Sequence, residues 1–255
     1  MARRPLPPLV LAYHGIADVA LRRDPHRLFV RPQDFRRQIA KLRGWGYRLV
    51  TFGELASAAT TSRPFGLAAL TFDDGFVDNL ETLVPLLRQE QAPATVFVVS
   101  GWLGRPHLTA PWTRIVTEAE LGELRATGIE IGAHSVTHPD LSAVPYEQAR
   151  EELAGSKSEL ERVLGEEVSV AAYPYGRASP EAVRACRDAG FAAACSSTAR
   201  GSWDKPHNLP RQDMDNRCTL LGLRLKRDDR YEPLMRFAPA RAARRLSRRV
   251  TAAIR

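Results

Sequence analysis

A single-domain parallel α/β fold, closing toward a barrel, is predicted by three features of this 255-residue chain. Seven short apolar runs alternate with six amphipathic segments. Many of the runs are nearly continuous in apolar residues, as strands covered on both faces are. No Ser/Gly/Pro-rich linker and no internal repeat interrupts the alternation. Strand–helix alternation implies right-handed βαβ units. Seven strands suit a barrel-like closure better than two separate sheets, with an open doubly wound sheet as the alternative.

In chain order, strands are predicted at residues 8–13, 47–50, 67–72, 94–99, 129–133, 168–172 and 191–195. Helical patterns lie between them at 32–43, 52–59, 78–89, 118–126, 145–164 and 180–189. Thr117 is placed to cap the helix opening at Glu118, with Glu120 three residues on in a capping-box arrangement. Ser179 precedes Pro180, a cap before a first-turn proline. Gly44, Gly128 and Gly190 fall where helices must stop. Residues 198–216 carry polar residues and proline with little periodicity, and read as a long surface loop, a kind of segment that is often functional.

Lys and Arg number 37 against 29 Asp and Glu, a net charge of +8. Seven arginines (236, 241, 244, 245, 248, 249 and 255) and no acid fall in the last twenty residues; without them the charge is about +1. The basic character thus belongs to a tail in which Ala242, Leu246, Val250 and Ile254 recur at helical spacing. A basic amphipathic helix either rests its apolar stripe on the domain or meets an anionic membrane surface. Nucleic acid is not expected as a partner, because no aromatics interleave with the arginines and no recognition motif occurs. The division expected is a catalytic stretch, 1–215, followed by a C-terminal extension, 216–255. No run is long enough to span a membrane, and the N-terminus lacks the pattern of a secretory signal. Cys186, Cys195 and Cys218 are odd in number without C-x-x-C spacing, as free thiols in a reducing compartment would be. A cytoplasmic protein is expected, with peripheral membrane contact through the tail.

Two polar clusters stand at predicted strand ends, where α/β folds place active sites. Thr71-Phe72-Asp73-Asp74-Gly75 follows one strand; an isolated Asp-Asp-Gly is commonly just a turn. His134-Ser135-Val136-Thr137-His138 follows another, and imidazoles four residues apart are able to meet on one face of a helical turn and chelate a metal. Together the clusters supply a His-His-Asp set that leaves a coordination position open for water. Zinc is the default ion for such a set, though cobalt, nickel or manganese would serve.

With Ala172-Tyr173-Pro174-Tyr175-Gly176 as a third, softer motif, these residues resemble the polysaccharide deacetylases, carbohydrate esterase family 4, over roughly residues 8–215. The resemblance implies a distorted (β/α) barrel and metal-dependent removal of an N-acetyl group from an amino sugar. It further implies Asp73 as general base, Asp74, His134 and His138 as metal ligands, and the Tyr175 N–H as an oxyanion donor beside Pro174.

The chain departs from the commonest family pattern in three ways. Ala172 stands where the family usually has an arginine, and Arg211 is expected to restrain Asp73 instead. The late Leu-x-His motif is missing, since no His follows His207. Leu11-Ala12-Tyr13-His14 ends the first strand, similar to the circularly permuted branch that includes the poly-N-acetylglucosamine deacetylases; there His14 becomes the general acid. Trp112, Tyr175 and Trp203 are candidates to pack on sugar rings. Two other functions fit the same residues: hydrolysis of a small non-sugar amide, and carbohydrate binding without turnover.

Overall fold

The computed structural model describes residues 5–61, 64–197 and 202–236. The chain opens with β1 (Leu9–Tyr13), and two short strands, β2 (Gly15–Ile16) and β3 (Phe29–Val30), pair with each other just beyond it. There follow α1 (Pro32–Trp45), β4 (Arg48–Val50), α2 (Phe52–Thr60) and β5 (Leu67–Phe72). A π-helical turn, Asn79–Leu83, runs into α3 (Val84–Glu90). Then come β6 (Thr95–Val98), α4 (Glu118–Ala126), β7 (Glu130–Ala133), α5 (Tyr146–Leu164), β8 (Val170–Ala172), α6 (Pro180–Asp188) and β9 (Ala193–Ser196). β10 (Leu209–Pro210) and β11 (Gln212–Asp213) end the first compact unit, Met1–Arg217. A second unit, Cys218–Arg255, contains α7 (Leu220–Arg227) and α8 (Tyr231–Arg236), with the Thr219 hydroxyl accepting from Gly222 N–H at the start of α7. The tail helix expected from the arginine-rich sequence falls, beyond Arg236, outside the described residues.

The main sheet runs β10-β9-β8-β7-β6-β5-β1-β11, with β4 beside β5, and its pairings are parallel. All seven expected strands are present, and the α/β barrel is as predicted. The strands read as apolar runs because both faces are covered: β1 and β5 are buried at every residue. β10 pairs with β9 and β11 with β1, so one stretch, Leu209–Asp213, bridges the two sheet edges and nearly closes the barrel. The surface loop expected across 198–216 is corrected here: within it, Leu209–Asp213 is the closing strand. Two-residue pairings around a proline and an arginine carry no alternation to read.

α2 plugs the N-terminal end of the barrel. Phe52 N–H donates to Thr95 Oγ1 (2.8 Å) and Gly53 N–H to Glu130 Oε2 (3.0 Å), at the starts of β6 and β7. Phe52, Leu55 and Ala56 enter a core cluster with Val10, Phe97, Val170 and Leu209. The Thr117–Glu120 capping box forms, and the Ser179 hydroxyl accepts from Ala182 N–H, both as predicted. α1, by contrast, runs through Gly44 and stops at Gly46, whose φ of 98° suits only glycine at low cost. Among the described residues the three cysteines are free thiols, and no helix is long and apolar enough to cross a membrane.

Candidate metal centre

The polar residues singled out in the sequence gather at the C-terminal ends of the strands. Asp73 and Asp74 follow β5, His134 and His138 follow β7, His14 follows β1, and Pro174 and Tyr175 follow β8. Backbone ladders extend beyond the strands to hold them: Asp73 N–H donates to Tyr13 O (2.9 Å) and His134 N–H to Val98 O (2.9 Å). Asp74, Ser135, His138 and Tyr175 all have positive φ, of 71°, 65°, 61° and 57°. Left-handed backbone in non-glycine residues costs free energy and clusters at functional sites.

The two imidazoles converge through an irregular loop rather than the helical turn expected. Glu152 of α5 holds this loop, accepting from Val136 N–H (2.9 Å), Thr137 N–H (2.8 Å) and the Thr137 hydroxyl (2.5 Å). The His138 N–H donates to Ser135 Oγ (3.0 Å). Nothing in the spacing of Glu152 pointed to this task.

Asp74 Oδ1 lies 3.5 Å from His138 Nε2 and 3.8 Å from His134 Nε2, and it is buried without a hydrogen-bond partner. His134 Nδ1 is 2.8 Å from the Ala172 carbonyl oxygen. That oxygen only accepts, so Nδ1 carries a proton and Nε2 is the nitrogen turned to the cluster. Burial, and next the charge of His134, bring the His138 pKa down to about 4. Burial pushes the Asp74 carboxyl up, but the His107 hydrogen bond and the charges of His14, His134 and His138 more than offset it and hold it well below the carboxylate range. One ring nitrogen from each imidazole and one carboxylate oxygen of Asp74 all lie within 4.8 Å of one another. This donor set fits a divalent cation such as zinc.

Asp73 faces Arg211, which the closing strand delivers to the barrel interior. Arg211 is 1% exposed, with Nη1 2.6 Å from Asp73 Oδ1 and Nη2 2.9 Å from Oδ2. Burial would raise the Asp73 pKa, and the guanidinium, with His134 and His14 adding to it, turns the balance so that the carboxyl is held below its usual range. Adjacent carboxylates are therefore separated by role: one is paired with a guanidinium, the other is turned to the imidazoles.

His14 is half-buried at the rim, and its charge acts on both carboxylates. Asn79 Nδ2 donates to the His14 carbonyl oxygen (3.2 Å), and Ile16 N–H donates to Asp78 Oδ2 (2.6 Å), so the π-turn fixes the corner that carries His14. Burial pushes the Asp78 pKa up to about 7. A carboxyl raised in the folded state contributes stability that is complete below its unfolded pKa and lost as pH rises through the folded value. Asp78→Asn is therefore expected to lose less stability than wild type between about pH 5 and pH 8. The difference should be on the order of 2 kcal/mol in urea unfolding of the metal-free protein; parallel losses would contradict it.

The Tyr175 ring is exposed and 4.7 Å from the His138 ring. Trp112 stands farther out: its indole N–H donates to Arg23 O (2.6 Å), and a row of rings, Phe29 and Phe76, separates it from His107. Trp203 is not brought to the centre. It packs against the core cluster with Ala58 of α2, at the opposite end of the barrel.

The fold is a nearly closed parallel α/β barrel that carries an Asp/His/His cluster at its strand ends. The family model for polysaccharide deacetylases matches residues 61–194, and the chain belongs to that family. A Bacillus subtilis (strain 168) protein named for the same family, YxkH, is 26% identical over 184 residues, 71% of this chain and 61% of that protein. The chitooligosaccharide deacetylase of Sinorhizobium fredii is 31% identical over 142 residues, 54% of this chain and 60% of its own. The poly-beta-1,6-N-acetyl-D-glucosamine N-deacetylase of Escherichia coli (strain K12) is 31% identical over 100 residues, 38% of this chain. The chain spans 61% of the first of these relatives, 60% of the second and 15% of the third. Among solved structures, the Streptococcus pyogenes deacetylase PplD superposes with a TM-score of 0.75 at 23% identity, covering 88% of this chain and 99% of that one. IcaB from Ammonifex degensii gives 0.74 at 22%, covering 89% and 98%. These two likenesses show the shared fold.

Proposed function

We propose that the protein is a metal-dependent N-deacetylase that hydrolyses the acetamide of an N-acetylated amino sugar, releasing acetate and a free amine. The observation that carries this reading is the pairing of functions in two adjacent carboxylates. Asp74 turns an unpartnered oxygen to two imidazoles, while Asp73 is held beside it by Arg211. A binding module has no use for the second carboxylate. Asp74, His134 and His138 would hold the ion, zinc by the character of its donors. Bound there, a divalent ion lowers the pKa of water from about 15.7 toward 7 and polarises a carbonyl.

Asp73, kept ionised by Arg211, accepts the proton of the attacking water. The water oxygen bonds to the acetyl carbon, and the Tyr175 N–H donates to the oxyanion that forms, a contact of roughly 3 kcal/mol. His14 donates a proton to the sugar nitrogen as the C–N bond breaks. Pro174 sets the turn that presents Tyr175, whose exposed ring is placed to pack on a sugar face, and Trp112 borders the approach.

The test is acetate release from chitooligosaccharides and lipid-linked N-acetylhexosamines, run against small non-sugar amides and coupled to elemental analysis. Wild type is expected to carry one divalent ion and to prefer the acetylated sugars; preference for the non-sugar amides would overturn the reading. His138→Ala should lose most of the metal, and full occupancy would remove that residue from the ligand set. A folded His14→Ala should keep its metal and fall in rate by about 10²–10⁴; wild-type rates would exclude it as the acid.

A further inference from the structure

We infer that His107 is a positioning residue that fixes Asp74 as a single-oxygen ligand, an assignment that rests on the metal centre proposed above. His107 is 5% exposed in the loop between β6 and α4, remote in sequence from both motifs. Its Nδ1 receives two backbone N–H groups, Ala110 at 3.2 Å and Thr109 at 3.3 Å. Donors on that side require a lone pair there, so the proton of the neutral ring sits on Nε2. Nε2 in turn donates to Asp74 Oδ2 at 3.2 Å.

The ring has little freedom to turn. Phe76 and Trp102 lie against it with centroids at 4.5 and 5.4 Å. Its own backbone N–H donates to Thr113 O (3.1 Å), and Ile115 N–H donates to Arg105 O (2.9 Å). The carboxylate of Asp74 is thereby divided. Oδ2 is bound by a fixed donor, and Oδ1, partnerless, is turned toward His134 and His138. Without His107 both oxygens would be available to one ion, and the position left for water or the acetyl oxygen would be lost. Hydrogen-bond partners of metal ligands typically change metal affinity by about 10–100-fold when removed.

The experiment compares wild type, His107→Gln, His107→Asn and His107→Phe as purified full-length chains, each checked by circular dichroism. Gln carries an amide N–H to the position of Nε2, whereas Asn is too short and Phe has no donor. Zinc affinity is read by chelator competition and coordination by the visible spectrum of the cobalt-loaded proteins. The Phe and Asn variants are expected to bind zinc about 10–100-fold more weakly. Their cobalt absorption should be weaker, as higher coordination numbers give. Gln should match wild type in both. The inference fails if either donor-less variant keeps wild-type affinity and spectrum, or if Gln is as impaired as Phe. If the wild-type chain itself takes up no metal, the functional proposal fails with it, so the two failures are distinct. The Asn variant carries the test if Phe does not fold.

Discussion

Asp73→Asn is expected to keep its bound metal and lose deacetylation by about 10²–10⁴-fold, the range supplied by a positioned base. The proposed ligand set leaves Asp73 out: the unpartnered oxygen and the two ring nitrogens belong to Asp74, His134 and His138. Asparagine preserves the shape and one acceptor for Arg211, but an amide takes up no proton at neutral pH. Elemental analysis and acetate release on the same preparation read the two halves separately. Loss of the ion would mean that Asp73 is a ligand, and activity within a few-fold of wild type would mean that the water's proton goes elsewhere. The same substitution leaves the guanidinium uncompensated in the interior, so folding must be verified before the rate is interpreted.

The parts of this centre that were legible in the sequence owe their legibility to locality. Asp73-Asp74 and His134…His138 are short motifs directly after strands, and a buried parallel strand is a continuous apolar run that needs no partner to be read. The residues that complete the centre arrive by tertiary closure. Arg211 lies 138 residues from Asp73 and belongs to a strand so short that only pairing with β9 on one side and β1 on the other defines it. Its role had been expected from the missing family arginine, not from its own surroundings, which read as surface loop. His107, 33 residues beyond Asp74, is a lone histidine beside a proline, with no spacing to distinguish it from an exposed one. Trp203 fails for the opposite reason. An aromatic in a polar stretch looked like a sugar platform, but it packs on the core near α2.

Breaking the Asp73–Arg211 pair from the other side is expected to cost about 3–5 kcal/mol of stability, because Arg211→Met leaves a buried carboxylate without its counter-charge. The double variant Asp73→Asn/Arg211→Met removes both charges and should recover most of that loss, since an apolar side chain of similar volume replaces an ion pair whose desolvation was costly. Urea unfolding of the four proteins, metal-free and at one pH, closes the cycle. A coupling below about 0.5 kcal/mol would show the pair to be energetically independent despite its 2.6 and 2.9 Å contacts. The pH dependence of the single variant distinguishes a positioning role from simple destabilisation. Arg211 holds the Asp73 carboxyl below its ordinary range, so its removal favours the protonated form and moves the acid limb of kcat/KM to higher pH. An unshifted acid limb in a folded Arg211→Met would mean that Arg211 braces the barrel closure without setting the charge of the base. The stability cost and the shifted limb have one origin. The residue that closes the last gap in the sheet also keeps the buried Asp73 carboxylate ionised beside the imidazoles.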